Sequence, residues 1–392
     1  MIKKWNTCVL TIKWTSSTTS QHLLGDLQVS TLLSLCLFDF NMKVLAVSLL
    51  GFLHPVVSMQ LPNRVEVNAD DIDPEVNVDE DQFVKDFNLP EVTDPDEKAR
   101  RQAALKANEA LIKEENEAYS RGEKTWFDAV NKFADLPEDE FELEKTGLKT
   151  PPASRTYGRG LLEPTGADRV DFASEQYFAD FRRSMKMNRA ATPSSYDADE
   201  LGLVSEVKDQ KECGSFAAFA NMAAIETCFK KATGVFGDYS EQQLLDCGYQ
   251  QNGADGCDGA SIHSYIKTVA DSGLDLTAEA TYPYKNTNPA LTCPSLDHYN
   301  QGAKVSGVLY TYDGDEKTLK GLVAKHGAVV TGVAASGPFQ EYEGGIFAGC
   351  TSDQPDHAVT VVGYGKDSAT GMKYWKVKNS WGKDWGEDGF IR

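Results

Sequence analysis

Side chains able to do chemistry concentrate in four short stretches of the last two hundred residues. The first is Val207-Lys208-Asp209-Gln210-Lys211-Glu212-Cys213-Gly214-Ser215-Phe216-Ala217-Ala218-Phe219. The second runs from Cys247 to Cys257-Asp258-Gly259-Ala260, and the third is Asp356-His357-Ala358-Val359 leading to Gly363-Tyr364-Gly365. The fourth is Lys378-Asn379-Ser380-Trp381-Gly382, followed by Trp385-Gly386 and Gly389-Phe390. Six cysteines (Cys213, Cys228, Cys247, Cys257, Cys293 and Cys350) fall in the same half, whereas only Cys8 and Cys36 lie elsewhere. Cysteines clustered in one domain point to a disulfide framework, which requires an oxidising compartment.

These stretches need elements to hold them. Ser215 to Phe229 carries Phe219, Met222, Ala223 and Phe229, a pattern that predicts a buried helix. Beyond Gly302, the segments Val305–Tyr312, Ala328–Val333, His357–Tyr364 and Tyr374–Ser380 are rich in Val, Thr and aromatics, and predict strands. Helices first and strands later make an α+β domain in two halves, with room for a cleft between them.

The N-terminal half is organised differently. Residues 59–96 are acidic with scattered prolines and read as a linker. From Glu97 to about Glu117, strong helix formers place Leu105, Asn108, Ile112 and Asn116 on one face of a predicted helix. Residues 148–195 hold Pro, Gly, Ser and basic pairs such as Arg182-Arg183, and read as extended and cleavable. Met42-Lys43, the apolar run Val44–Leu53 and the small residues around Ser58 have the shape of a secretory signal peptide over 42–58. Met42 is then the expected start and residues 1–41 a doubtful extension. The chain has 392 residues and a formal net charge of −20, which argues against nucleic acid or an anionic membrane as main partner.

Together the four stretches, in order and spacing, resemble the papain-like cysteine peptidases across residues 193–392. The stretch around Gln210 resembles the family's Gln-x-x-Cys-Gly-Ser-Cys-Trp-Ala-Phe. The 97–192 region resembles the family's inhibitory prosegment. Glu97, Arg101, Leu105, Asn108, Ile112 and Asn116 fit its long helix motif, and Ala129, Asn131, Phe133 and Asp135 fit the shorter motif that follows. The resemblance implies an α+β, papain-like two-lobed fold, a helical lobe and a β-barrel-like lobe with a cleft between, preceded by a helical prosegment. It implies His357 as the acid–base residue, Asn379 as its orienter, Gln210 as the oxyanion donor and Trp381 as a shield over the His–Asn bond. Gly259 and Ala260 would line the substrate site, and Cys213 would pair with Cys257 and Cys247 with Cys293. Cys350 would pair beyond Arg392, so the domain is expected to be C-terminally truncated, unless Cys350 finds Cys228. With the disulfides so assigned, no Cys/His pair has zinc-ligand spacing, and no cofactor or metal is expected. Expected partners are peptides or protein substrates in the cleft, cystatin-like inhibitors and the chain's own prosegment, for a monomer that is secreted or lysosomal.

The departures matter most. Phe216 stands where the family has its nucleophilic cysteine, Ala217 where it has tryptophan, and Ala260 where it has a second glycine. A phenyl ring cannot attack a carbonyl, and loss of a triad nucleophile costs on the order of a million-fold in turnover. Ser215 lies one residue off and is expected to cap the helix rather than replace the thiol. The reading is therefore a pseudopeptidase that binds peptides or peptidase inhibitors. The alternative is an active secreted or lysosomal cysteine endopeptidase, for which the retained His357, Asn379 and Gln210 speak. An inactive domain cannot process itself, so cleavage near Asn188–Pro193 must come from another protease. Purified precursor incubated alone at acidic pH is expected to stay intact on a denaturing gel.

Overall fold

The computed structural model describes residues 7–13, 80–149, 183, 192–251, 253–272, 274–289, 293, 304–311, 316–350 and 354–392. The predicted signal peptide and most of the 148–195 segment lie outside these residues. The fold is α+β, with a helical lobe and a sheet lobe behind an N-terminal helical segment.

That segment contains three helices where one was expected. The acidic stretch 59–96, read as a linker, carries helix α1 (Glu80–Asp86). Its Phe83 is fully buried and clusters with Leu105 and Ala134, while Val84, Phe87 and Leu89 pack around them. Four apolar residues at helical spacing outweigh the acidic composition once they have a surface to meet. Helix α2 (Pro95–Ser120) starts two residues before Glu97, because Asp94 accepts hydrogen bonds from the Asp96 and Glu97 amides and Pro95 occupies the first turn. Leu105 and Ile112 are buried on its inner face.

The polar motif residues of α2 each have a defined task. Asn116 donates to the Asp128 carbonyl and accepts from the Asp128 amide, both at 2.9 Å, so it brackets the backbone of strand β2 (Trp126–Asp128). Asn108 donates to the Ala134 carbonyl at 2.9 Å. Arg101 joins Glu97, Asp135 and Glu140, tying α2 to the following turn and to helix α3 (Glu138–Lys145). Strand β2 then pairs antiparallel with β6 (Tyr342–Gly345), with Trp126 opposite Gly345 and Asp128 opposite Tyr342. The N-terminal segment is thus stitched into the sheet lobe by backbone hydrogen bonds.

The central helix α4 (Phe216–Thr233) is buried on every side from Phe216 to Phe229. Five alanines in its first nine residues let it lie close to β7 (His357–Lys366), where the Thr360 hydroxyl donates to the Ala220 carbonyl at 2.9 Å. Gly234, in the left-handed region at φ 75°, ends the helix. Ser215 does not cap it. Its hydroxyl lies 2.9 Å from the Tyr284 hydroxyl and makes no cap bond, because the loop before the helix turns the side chain sideways.

The main sheet runs β4-β1-β5-β7-β8-β9, with β3 (Tyr196–Asp197) also paired to β7. Here β4 is Lys304–Thr311, β5 Val329–Val333, β8 Lys373–Lys378 and β9 Phe390–Ile391. Strand β1 (Thr7–Lys13) belongs to the stretch 1–41 and lies between β4 and β5, antiparallel to both. Two disulfides, Cys213–Cys257 and Cys247–Cys293, tie the helical lobe together. The Cys228 thiol is buried against the His326 carbonyl, and Cys350 is exposed; neither is in a disulfide.

Replacing Asn116 by alanine strands both polar groups of Asp128 inside the seam. The substitution Asn116→Ala is expected to weaken seating of residues 80–149 by roughly 2–3 kcal/mol. Limited proteolysis should trim this segment faster in the variant, while the domain that follows keeps its melting temperature.

Candidate active site

The loop before α4 is positioned by close packing. The disulfide joins Cys213 to Cys257, and the Gly214 amide donates to the Cys257 carbonyl at 3.0 Å. A side chain at Gly214 would collide with that carbonyl, so only glycine fits the approach. Gln210, fully buried, receives the Ser380 hydroxyl on its carboxamide oxygen at 2.8 Å and sends its amide to the Cys213 carbonyl at 3.1 Å. Its backbone amide donates to the Ser380 carbonyl at 2.8 Å. The Gln210 loop and the loop after β8 are therefore one unit.

His357 opens β7 and is fully buried. Its Nε2 lies 2.8 Å from Asn379 Oδ1. The same oxygen accepts the Ser380 amide at 2.8 Å, which fixes the end of the carboxamide that faces the ring. Nε2 therefore carries the proton. Nδ1 is buried without a hydrogen-bond partner of normal geometry. Burial pushes the imidazole down to about 4, against smaller upward pulls from Asn379 and the Lys145 backbone. The ring is neutral at any ordinary pH.

Two aromatic rings enclose it. Trp381, fully buried, lies 4.9 Å from the His357 ring and covers the bond to Asn379. Phe216, the first residue of α4, meets His357 edge-to-face at 5.2 Å and has no exposed surface. A carbon edge, not a titratable group, thus faces the imidazole from the helix. Cys213 and Ser215 are committed elsewhere, to Cys257 and Tyr284.

The cleft is occupied by the chain itself. After α3, residues 145–149 thread between the Gly259–Ala260 turn and Asp356. The Gly147 and Leu148 amides donate to the Asp356 carbonyl at 2.9 and 2.7 Å, and the Lys149 amide donates to the Ala260 carbonyl at 3.2 Å. A side chain at Gly259 would strike the Gly147 carbonyl. The Lys145 carbonyl lies 3.5 Å from the Gln210 amide nitrogen, and its ammonium donates to the Lys211 carbonyl at 2.6 Å. Upstream, Phe133 and Phe141 pack edge-on against Trp381 at 5.6 and 5.3 Å.

The structure therefore brings Gln210, Phe216, His357, Asn379 and Trp381 together, with Gly259 and Ala260 across the cleft. Ala217 and Ala260 change less than the sequence implied. Both methyl groups join the core cluster under α4, and the Ala260 carbonyl still pairs with an extended chain. Sequence reasoning missed Ser380, which locks both Gln210 and Asn379, and the residues 145–149 that fill the cleft. Serine in a loop carries no signal of its own, and an extended segment is recognisable only by what it lies on.

Known proteins agree with this geometry. Residues 192–392 match the papain family cysteine protease pattern. Fruit bromelain from Ananas comosus is 34% identical over 300 residues, covering 76% of this chain and 75% of its own length. Cathepsin L from Sarcophaga peregrina is 32% identical over 298 residues, covering 74% of this chain and 80% of its own. Among solved structures, digestive procathepsin L 3 of Tenebrio molitor larval midgut superposes with a TM-score of 0.62 at 31% identity, over 80% of this chain and 91% of that one. The recombinant stem bromelain precursor does so with a TM-score of 0.62 at 30% identity, over 80% and 89%. A helical proregion, a two-lobed domain and a buried His–Asn pair thus occur together in a chain that belongs to the papain family of cysteine proteases.

Proposed function

We propose that this chain is a non-hydrolysing member of its family, a pseudopeptidase that holds an extended peptide in its cleft. The observation that carries the reading is the Phe216 ring set edge-on against the buried His357 imidazole at the head of α4, where the family's chemistry needs a thiolate. Cysteine proteolysis needs a thiolate at a helix N-terminus and an imidazolium to protonate the leaving amine. This site offers neither.

Binding is a different matter, because the backbone acceptors at Asp356 and Ala260 are intact and already engage residues 147–149. The Lys145 ammonium at the head of that self-ligand sits on the Lys211 carbonyl, and burial pulls its pKa down against the opposing charges of Glu144, Asp209 and Glu212. The ligand classes are peptides, protein segments or peptidase inhibitors of cystatin type, with the proregion as the first occupant. Disulfides in the helical lobe favour a secreted or lysosomal setting. The intact Gln210, His357 and Asn379 geometry favours the second reading, an endopeptidase of this family. Turnover by the natural chain separates the two.

After trimming of the proregion by an added protease, the natural chain is expected to leave fluorogenic dipeptidyl amides uncut. Phe216→Cys should raise turnover at least about a thousandfold above that background, because orienter and oxyanion donor are in place. Turnover by the natural chain well above background, at a rate comparable to that of the Phe216→Cys variant, would refute the pseudopeptidase reading.

His357 gives a second check. Its folded pKa of about 4 lies below the ordinary 6.5, so the unfolded chain binds the extra proton between these values. Its contribution of roughly 3 kcal/mol is fully present above pH 6.5 and is lost as the pH falls towards 4. The imidazole nitrogen signals measured by NMR should not titrate between pH 5 and 8 in the natural chain.

A further inference from the structure

Strand β1 (Thr7–Lys13) comes from the far N-terminal part of the chain, yet it sits inside the main sheet of the domain. It runs antiparallel to β4, from Thr7 opposite Thr311 to Lys13 opposite Lys304. The ladder passes over Ser306 between Thr11 and Ile12, a bulge that pins the register. On the other edge, Thr7 faces Thr331 and Cys8 faces Val330 of β5. Thr7, Val9, Thr11 and Ile12 are β-branched and suit a pleated strand.

The sheet depends on this strand in two ways. Among the described residues β4 has no other strand neighbour, so it joins the sheet only through β1. On its far edge β5 is paired to β7, from Val329 opposite Val361 to Val333 opposite His357. Val330 and Thr331 of β5 are fully buried, and these are the two residues that β1 meets. Backbone groups at that depth need partners. Without β1, an open edge would lie inside the lobe, ready to take up another strand.

Chain connectivity turns the pairing into a fastening. Residues 14–79 join β1 to α1, so a cut between α3 and β3 leaves β1 and the proregion on one fragment and β4 and β5 on the other. We infer that the slot between β4 and β5 is a strand-accepting interface whose occupant is the chain's own N-terminal segment, and that it keeps the proregion fastened to the domain after such a cut. The cleaved protein is then a two-fragment complex with residues 145–149 still lying on the cleft. A proregion that lifts off is held nearby by β1 and rebinds at an effective concentration of roughly millimolar. The fastening needs residues 7–13 and the proregion in one piece, so it fails if the chain is cut after Ser58. It does not depend on whether the site hydrolyses peptides, because it uses only backbone pairing in the sheet lobe.

A protease recognition sequence inserted between Arg182 and Arg183 of the full-length chain allows a single cut. Afterwards the N-terminal fragment should co-elute with the domain in gel filtration, even at nanomolar concentration, and separate only in denaturant. Val9→Pro combined with Leu10→Pro removes adjacent ladder donors and should speed release of the fragment about a hundredfold. A chain beginning at Met42 lacks the strand, should release the fragment equally fast, and covers the case in which the proline variant folds poorly. Hydrogen exchange on the uncut natural chain needs no variant. The amides of residues 8–12 should be protected to within roughly tenfold of those shared by β5 and β7. Mass spectrometry of the chain recovered from eukaryotic cells should find peptides that contain residues 7–13. Equal release from the natural and Met42 chains, unprotected amides in residues 8–12, or a recovered protein that begins after Ser58 would each overturn the fastening. A species of twice the chain's mass would do so as well, since the strand would then be exchanged between copies.

Discussion

His357 Nε2 meets Asn379 Oδ1 at 2.8 Å in a space closed to solvent, and much of the molecule is arranged around that bond. Asn379 can accept there because Ser380 anchors the same oxygen, and Ser380 also holds the carboxamide of Gln210. A few loop residues therefore tie the end of β8, the start of β7 and the turn before α4 to one another. Trp381 closes the top and Phe216 the helix side. Isolated polar groups at this depth would each be a liability, but linked in a chain they make the junction of the two lobes rigid.

That rigidity accommodates a phenyl ring at the head of α4 beside the His–Asn pair. Phenylalanine at the head of α4 fills its site with apolar surface, and burial of a phenyl ring stabilises by about 25 cal/mol for each Å² removed from water. The imidazole tolerates this neighbour because it is neutral and makes its polar contact on the Asn379 side.

The proregion is as much a part of the core as of the surface. Phe133 and Phe141 pack on Trp381, β2 completes a two-stranded sheet with β6, and residues 145–149 take the backbone positions that an extended ligand would use. Apolar packing and backbone pairing give tight seating that is insensitive to pH.

Several features were legible before any coordinates, for local reasons. The apolar run of α4, the β-branched strands and the polar motif of α2 are short-range patterns, and they appeared within about four residues of their expected places, with α4 running on to Thr233 and α2 to Ser120. The identity of residue 216 also decided, without a structure, that no thiol stands there. Helix α1 was hidden, because its acidic composition masks an apolar face that exists only against Leu105 and Ala134. Ser380 and the self-ligand at 145–149 were hidden for a deeper reason. A side chain's type fixes what it can bond, ionise or pack, but whether it meets a partner, a like charge or nothing is settled by residues far away in the chain. The sequence by itself determined the family, the helical and strand patterns and the phenylalanine at position 216. Only the tertiary structure decided that Ala260 still pairs through its backbone, that the His357 imidazole is fully buried and that residues 145–149 lie across the site, since each depends on burial and on long-range contact.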